Sequence, residues 1–314
     1  MRDVHGIHHV TAIAGDPREN LAFYSGVLGM RLVKRSVNQD DPGTYHLFYA
    51  DAAGHPGTDL TFFPWLHLPA GRPGTGMINE VMLAVPPGTL DYWTDRLGAA
   101  GVAAGAAEER FGERALPFTD PHGMPVALVE AGGERLFSPW TDGPVPADRQ
   151  VRGIHGVRLW EESLGPTRGL LAEVLGFPAA GADGDWHRYG AGGASSAGVV
   201  DVREARGTPP GRMGRGAVHH VAFRVSDDVM QDAVRRRVAA AGRRPTPVID
   251  RFWFKSVYFT EPGGVLFELA TDGPGFAVDE DASHLGERLV LPPWLEPQRE
   301  RITAALPALD RRLD

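Results

Sequence analysis

The chain has 314 residues, enough for two ordinary domains, of which 42% are hydrophobic and 23% charged. Its formal net charge is −8 and no block of Lys or Arg stands out, so a nucleic-acid or anionic-membrane surface is not expected. It contains no cysteine, which excludes disulfides, iron–sulfur clusters, thiolate zinc sites and cysteine nucleophiles. Any metal ion would therefore need histidine and carboxylate ligands.

The first residues lead directly into a strand-like segment, without the pattern of a signal peptide, and no apolar run is long enough to cross a membrane. A cytoplasmic protein that binds neither membrane nor nucleic acid is the expectation. The sequence does not determine the oligomeric state, and a homo-oligomer is possible.

The first predicted unit starts with a short strand rich in β-branched residues, at positions 7–13. A helix follows, because Leu21, Tyr24 and Leu28 recur at helical spacing. Three further strands are predicted at residues 31–36, 44–50 and 59–64. Turn residues such as Asp41-Pro42-Gly43 and Pro56-Gly57 separate them. The unit is therefore βαβββ.

This unit recurs along the chain. Gly6-Ile7-His8-His9-Val10 and Gly153-Ile154-His155-Gly156-Val157 are each followed, at the same offset, by a Val-Leu-Gly motif. Two more units begin near Ile78 and Val218, with helices predicted near residues 90–97 and 228–241. The fold class is therefore α+β, with four βαβββ modules in two tandem domains. The boundaries are 1–140 and 150–276, followed by a tail at 277–314 that packs across the surface.

Two adjacent-histidine pairs, His8-His9 and His219-His220, occupy the same place in the first and fourth units. Strand side chains alternate between faces, so one histidine of each pair should point into a common cavity. Glu268 lies among apolar strand residues, where a carboxylate is costly to bury unless it is paired or metal-bound. We expect His9, His220 and Glu268 to bind one metal ion, with a buried Glu268–Arg251 pair as the alternative.

The other units serve as internal comparisons. Glu80 and Gly156 stand at the position of the two histidine ligands, and alignment of the Pro-Gly turns puts Phe62 and Ala127 at the position of Glu268. One site per chain is therefore expected, between the first and fourth units. Two histidines and one carboxylate form the facial triad of non-haem Fe(II) oxygenases, which leaves open positions for substrate and O2.

Several blocks carry a family resemblance: residues 7–11, 45–47 with 56–58, 218–223, 250–252, 256–259 and 261–268. Together they resemble the vicinal oxygen chelate superfamily, which includes glyoxalase I and extradiol dioxygenases. The resemblance is closer to its hydroquinone and chlorohydroquinone ring-cleaving dioxygenases. It implies an Fe(II) enzyme, with Mn(II) as the alternative ion, that cleaves hydroquinone- or catechol-type diols with O2.

The resemblance also implies chemistry for Arg251 and Tyr258, which match the family pattern. Arg251 would hold an oxyanion or the remote hydroxyl, and Tyr258 would donate a hydrogen bond to bound oxygen. The structural alternatives are a salt bridge for Arg251 and a place in the core for Tyr258. His8, His219 and Thr11 adjoin the ligands as acid/base or supporting residues. The other histidines, His46 among them, are interpreted as structural.

Two other functions stay open. One is a metal-dependent isomerase or glutathione-type transferase on the same fold, and the other is a non-enzymatic module that binds an aromatic ligand. Isomerases of the glyoxalase type use a fourth protein ligand, and Phe62 at that position favours oxygen chemistry. The retained ligands count against the binding module.

Overall fold

A computed structural model describes residues 3–190 and 197–309. The first unit comprises β1 (Ile7–Ala14), α1 (Pro17–Leu21), β2 (Arg31–Asn38), β3 (Asp41–Ala50) and β4 (Asp59–Pro64). The second comprises β5 (Met77–Val85), α2 (Leu90–Ala99), β6 (Glu108–Arg110), β7 (Glu113–Thr119) and β8 (Pro125–Glu130). The third comprises β9 (Ile154–Glu161), α3 (Leu164–Gly169), β10 (Ala179–Asp183), β11 (Trp186–Gly190) and β12 (Val199–Glu204). The fourth comprises β13 (Val218–Val225), α4 (Asp228–Ala240), β14 (Ile249–Asp250), β15 (Lys255–Thr260) and β16 (Leu266–Thr271). The predicted α+β class and the four βαβββ units are confirmed.

The strands form two eight-stranded sheets, and each sheet takes one unit from each half of the sequence. The first sheet has the order β14-β15-β16-β13-β1-β4-β3-β2, and the second has the order β10-β11-β12-β9-β5-β8-β7-β6. Units one and four therefore share a sheet, as do units two and three. The division of the chain into domains at residues 1–140 and 150–276 remains a prediction.

The helices of units one and three share a feature that the sequence did not predict. Each begins as an α-helix and continues as a π-helix, at Ala22–Val27 and at Leu170–Val174. The predicted helical stripe spans this change, and its Tyr24 and Leu28 are fully buried in the main core. The same irregularity in both copies supports their relation as repeats.

The predicted turn at Asp41-Pro42-Gly43 is wrong. These residues are the start of β3, and the hairpin turn is the preceding pair, Gln39 and Asp40. The ladder between β3 and β4 covers only Leu47–Tyr49, so Pro42 stands at a strand end that does not need its missing N–H.

The C-terminal tail packs against the first unit. Lys34 of β2 is fully buried, and its Nζ donates to the carbonyl of Phe276, to Asp279 at 2.8 Å and to Glu280. The short helix α5 (Arg299–Ala305) adds a small apolar cluster over β2. No helix within residues 3–190 and 197–309 is long and apolar enough to span a membrane.

Where the third unit meets the fourth, a carboxyl group is buried without a partner. Glu161 is 0% exposed, and both of its oxygen atoms lack hydrogen bonds within the described residues. The group lies so close to Gly263 that a Cβ there would be 1.6 Å from Oε2. Burial, and then the charge of Glu261, raise the pKa of Glu161 to about 8.

This shift predicts a pH-dependent stability. The folded state favours protonated Glu161, so its contribution is complete below about pH 4.5, the ordinary pKa, and is lost as the pH rises to about 8. Glu161→Gln should raise the free energy of unfolding at pH 8 by roughly 4 kcal/mol and change it little at pH 4. Denaturant unfolding at both pH values measures this, with exposed Glu162→Gln as the control. Equal effects at the two pH values would contradict the assignment.

Candidate metal centre

The two central strands of the first sheet, β1 and β13, run antiparallel, and each carries a β-bulge at its histidine pair. In β1 the register slips between Ile7 and His9, which makes His8 an extra residue. In β13 it slips just before His220, which makes His219 the extra residue. A bulge re-aims side chains, and here it brings successive imidazoles together instead of sending them to opposite faces.

His9, His220 and Glu268 project from one face of this sheet. His9 and Glu268 lie on either side of Ala222, in β1 and β16, and His220 precedes Ala222 by two residues in β13. The side chains of these positions share a face because strand residues alternate with a period of two. The methyl group of Ala222 leaves the space between the three larger side chains free.

The three side chains converge on one point. Nε2 of His9 lies 3.3 Å from Nε2 of His220, and Oε2 of Glu268 lies 3.3 and 3.0 Å from these two nitrogen atoms. Ligand atoms about 2.1 Å from an ion and at right angles around it are separated by about 3.0 Å. Within the described residues, Oε2 is buried without a well-formed hydrogen bond. The donor set and its spacing therefore fit a divalent ion.

Each candidate ligand is also held from behind. Nδ1 of His9 lies 3.0 Å from Nδ1 of His8, and Nδ1 of His220 lies 2.7 Å from Nδ1 of His219. The other carboxylate oxygen, Oε1, accepts a hydrogen bond of 2.5 Å from Ser256 Oγ. Partners of this kind fix the orientation of metal ligands and the tautomer of a ligand histidine.

The protonation states suit a cation. Burial lowers the pKa of His220 and of His8, and it lowers the pKa of His219 to about 3. Burial alone would raise the pKa of Glu268, but the two facing imidazoles outweigh it and hold the pKa well below its usual range. A carboxylate with neutral imidazole beside it is the state that binds a metal ion.

A cavity that opens to solvent lies over His9 and His220. Phe48, Phe63, Trp253, Phe254 and Tyr258 give it aromatic walls. Polar side chains, among them Asn38, Gln39 and Arg251, complete the lining, so the cavity suits a small planar ring that carries polar substituents.

The residues for which chemistry was predicted divide into two groups. Arg251 and Tyr258 line the cavity, whereas His8, His219 and Thr11 lie behind the ligands and do not line it. His46 was interpreted as structural, yet it lines the cavity. The only signal that could have singled it out is its place in one of the blocks that carry the resemblance.

Arg251 pairs with Asp40 and not with Glu268, so the alternative buried pair does not form. Its Nη1 and Nη2 lie 3.2 and 2.8 Å from the two Asp40 oxygens, and its guanidinium lies 5.5 Å from the centre of the Tyr258 ring. Burial lowers the pKa of Arg251, but Asp40 and Tyr258 outweigh it and raise that pKa. Burial and the charge of Glu268 raise the pKa of Tyr258, so its hydroxyl is protonated at neutral pH.

A strained residue shapes this wall. Phe252 has φ of 74°, in the left-handed region that a bulky residue rarely occupies, and its N–H donates to Asp250 Oδ1 at 2.7 Å. The turn lets Arg251, Trp253 and Phe254 all face the cavity. Strain of this kind is found where the surrounding contacts hold a binding wall in place.

The structure corrects the assignment of Phe62 to the position of Glu268. Ala222 is opposite Glu268, and the equivalent residue of the first unit, Thr11, is opposite Thr61. Phe62 points to the other face and packs on Tyr24. A one-residue offset reverses the face of a strand residue, which is why turn alignment failed. Thr61 also supplies no carboxylate, so a fourth ligand of that kind is still missing.

The equivalent face of the second sheet holds ion pairs. Glu80 is bound by Arg110 through contacts of 2.5 and 3.2 Å, and Asp201, at the register of Glu268, is bound by Arg188. A Cβ on Gly156 would lie 2.3 Å from the carbonyl oxygen of Val199, so no side chain fits there. Among the described residues, only His9, His220 and Glu268 form a cluster that could hold a metal ion.

The sequence matches a known protein family and several known proteins. The model of the "Glyoxalase/Bleomycin resistance protein/Dioxygenase superfamily" matches residues 6–128 and 159–269. The Bacillus subtilis (strain 168) protein named "Putative ring-cleaving dioxygenase MhqO" is 44% identical, with 98% of each chain covered. The chlorohydroquinone/hydroquinone 1,2-dioxygenase of Sphingobium indicum is 33% identical, with 95% of each chain covered.

Solved structures agree in fold. A crystal structure of a Bacillus subtilis protein, titled as a "putative dioxygenase", superposes with a TM-score of 0.94 at 42% identity and covers 99% of each chain. Glyoxalase I from Zea mays gives a TM-score of 0.62 at 15% identity, covering 85% of this chain and 92% of its own. The second likeness concerns the fold alone.

The geometry predicts how substitutions affect metal content. Glu268→Gln replaces the anionic ligand and should abolish tight Fe(II) binding, while Ser256→Ala leaves the carboxylate in place but frees its orientation and should weaken binding about 10- to 100-fold. Anaerobic loading followed by elemental analysis measures both. Glu80→Gln, in the second sheet, is the control and should load like the wild type. Full iron occupancy in Glu268→Gln would show that Glu268 is not a ligand.

Proposed function

The chain belongs to the Glyoxalase/Bleomycin resistance protein/Dioxygenase superfamily, and from that membership we propose an Fe(II)-dependent, extradiol-type ring-cleaving dioxygenase. Its substrates would be hydroquinone- or catechol-type diols and O2. One relative is named as a ring-cleaving dioxygenase and another as a chlorohydroquinone/hydroquinone 1,2-dioxygenase, which makes a para-diol the first substrate to test. Mn(II) is the alternative ion.

The observation that carries this proposal is the three-ligand set. His9, His220 and Glu268 supply two imidazole nitrogens and one carboxylate oxygen on one side of the candidate ion. A carboxylate at the register of Thr61 would close a further position, as in a four-ligand isomerase site, and none is present there. Positions for both a diol and O2 would therefore stay open.

The three ligands would hold Fe(II), which supplies, when bound, the redox chemistry by which O2 reacts with an aromatic ring. The aromatic walls would pack the ring and keep bulk water from the reacting atoms. Tyr258, protonated at neutral pH, would donate a hydrogen bond to an oxygen atom near the ligands. Arg251, held by Asp40, would place a positive charge against an oxyanion that forms as the diol loses its proton.

The predicted supporting residues take positioning roles in this proposal. His8 and His219 each use Nδ1 to face the Nδ1 of a ligand, so they would set the ligand tautomer and keep Nε2 available to the ion. Thr11 lies beneath the cavity and hydrogen-bonds to Thr61.

An oxygen electrode tests the activity. The protein, loaded anaerobically with Fe(II), should consume about one O2 for each ring lost when given hydroquinone, methylhydroquinone or chlorohydroquinone, with catechol as the ortho-diol comparison. The Glu268→Gln variant is the control. Turnover of a glutathione hemithioacetal with Zn(II) or Ni(II), without oxygen uptake, would replace the dioxygenase by an isomerase.

Arg251 and Tyr258 should affect turnover and not metal loading, because they line the cavity but do not reach the ligand atoms. We expect Arg251→Ala and Tyr258→Phe to lower kcat about 10- to 1,000-fold at unchanged iron content. Asp40→Asn, which removes the partner of Arg251 at an exposed position, should have a smaller effect of the same kind. Wild-type kinetics in the first two variants would make both residues structural.

A further inference from the structure

His46 is held firmly at the edge of the cavity. Its ring lies 3.8 Å from the ring of Phe48 and 4.4 Å from that of Phe63, measured between centroids. Nε2 of His46 lies 2.9 Å from Thr61 Oγ1. Within residues 3–190 and 197–309, Nδ1 has no hydrogen-bond partner, and it is the ring nitrogen left for the cavity. Contacts on two sides and one hydrogen bond leave the ring little freedom to turn.

The hydrogen bond of His46 is the last in a series of two that links His46, Thr61 and Thr11. Thr61 Oγ1 lies 2.8 Å from Thr11 Oγ1, and both threonines are fully buried. Thr61 is the only hydrogen-bond partner of the Thr11 hydroxyl in the described part of the chain. A buried hydroxyl proton without an acceptor is costly, so Thr11 donates its proton to Thr61.

That requirement fixes which atom donates in both hydrogen bonds of the series. Thr61 accepts from Thr11 and has its own proton left, which it donates to Nε2 of His46. Nε2 is then the acceptor of the ring. Burial lowers the pKa of His46 well below its ordinary value, so the imidazole is neutral and carries its one proton on Nδ1.

We propose that His46 is a specificity-determining residue, whose Nδ1–H donates a hydrogen bond to the oxygen atom of an aromatic diol that is not on the metal. The ligand class rests on the proposed function, whereas the direction of the hydrogen bonds does not. A neutral donor at a fixed place favours a ring with a second oxygen over a ring with only one. Thr11 and Thr61 are positioning residues, because they act through His46.

The tautomer can be observed directly. Long-range ¹H–¹⁵N correlation spectra of the full-length protein, ¹⁵N-labelled at histidine and loaded with diamagnetic Zn(II), distinguish Nδ1–H from Nε2–H. The signal of His46 is assigned by its loss in His46→Phe. We expect Nδ1–H in the wild type and in Thr61→Ser, and a mixture of tautomers in Thr61→Val. Nε2–H in the wild type would overturn the proposal.

Binding tests the recognition. Titration calorimetry of the Zn(II)-loaded protein should show hydroquinone binding about 3- to 10-fold more tightly than phenol, the gain expected from one hydrogen bond. His46→Phe, which keeps a ring between its two aromatic neighbours, should lose this preference at unchanged zinc content. His46→Asn, which keeps an N–H near the Nδ1 position, should restore part of it. Equal discrimination in the wild type and His46→Phe, or none in the wild type, would overturn the assignment.

The two proposals can fail separately. If the Fe(II)-loaded wild type takes up no O2 with any diol, the proposed function fails, while the tautomer and the preference for hydroquinone over phenol still decide the role of His46. If rings are cleaved but His46 carries its proton on Nε2, only the role of His46 fails.

Discussion

The antiparallel pairing of β1 with β13 is the interaction on which the site depends. It joins units that lie far apart in the sequence, and it brings together the two bulges that aim His9 and His220 at one point. The parallel pairing of β13 with β16 then adds Glu268 on the same face. Each candidate ligand is thus fixed by a backbone ladder, and His8 and His219 hold the rings of His9 and His220.

The second sheet has the same strand arrangement but lacks the candidate metal ligands. It has the same strand order and bulges at the same places, yet its carboxylates Glu80 and Asp201 are bound by arginines. A buried carboxylate needs a positive partner in either sheet. In the second sheet that partner is an arginine side chain, whereas Glu268 faces the imidazoles of His9 and His220, with an arrangement that would fit a cation.

Much of this arrangement could be predicted from the sequence, because repeated motifs at equal spacing identify the four units and both histidine pairs. Glu268 was identifiable as a carboxylate among apolar strand residues. The predictions that were wrong concern features set by strand register and by contacts between strands that are distant in the sequence. A one-residue offset put Phe62 where Thr61 stands. His46 gave no pattern of its own, since its position in the cavity comes from neighbouring strands that local sequence does not specify.

The distances between the ligands along the chain have a consequence for assembly. His9 and His220 are 211 residues apart, and the carboxylate follows 48 residues after the second of them. A nascent chain that has emerged only as far as β13 can offer two imidazoles but lacks the anionic ligand. Because metal binding is coupled to the folding of the residues that bind it, an ion held by the proposed site would enter late in synthesis, when the fourth unit closes against the first. Ion uptake would then mark a chain that has been translated and folded through β16.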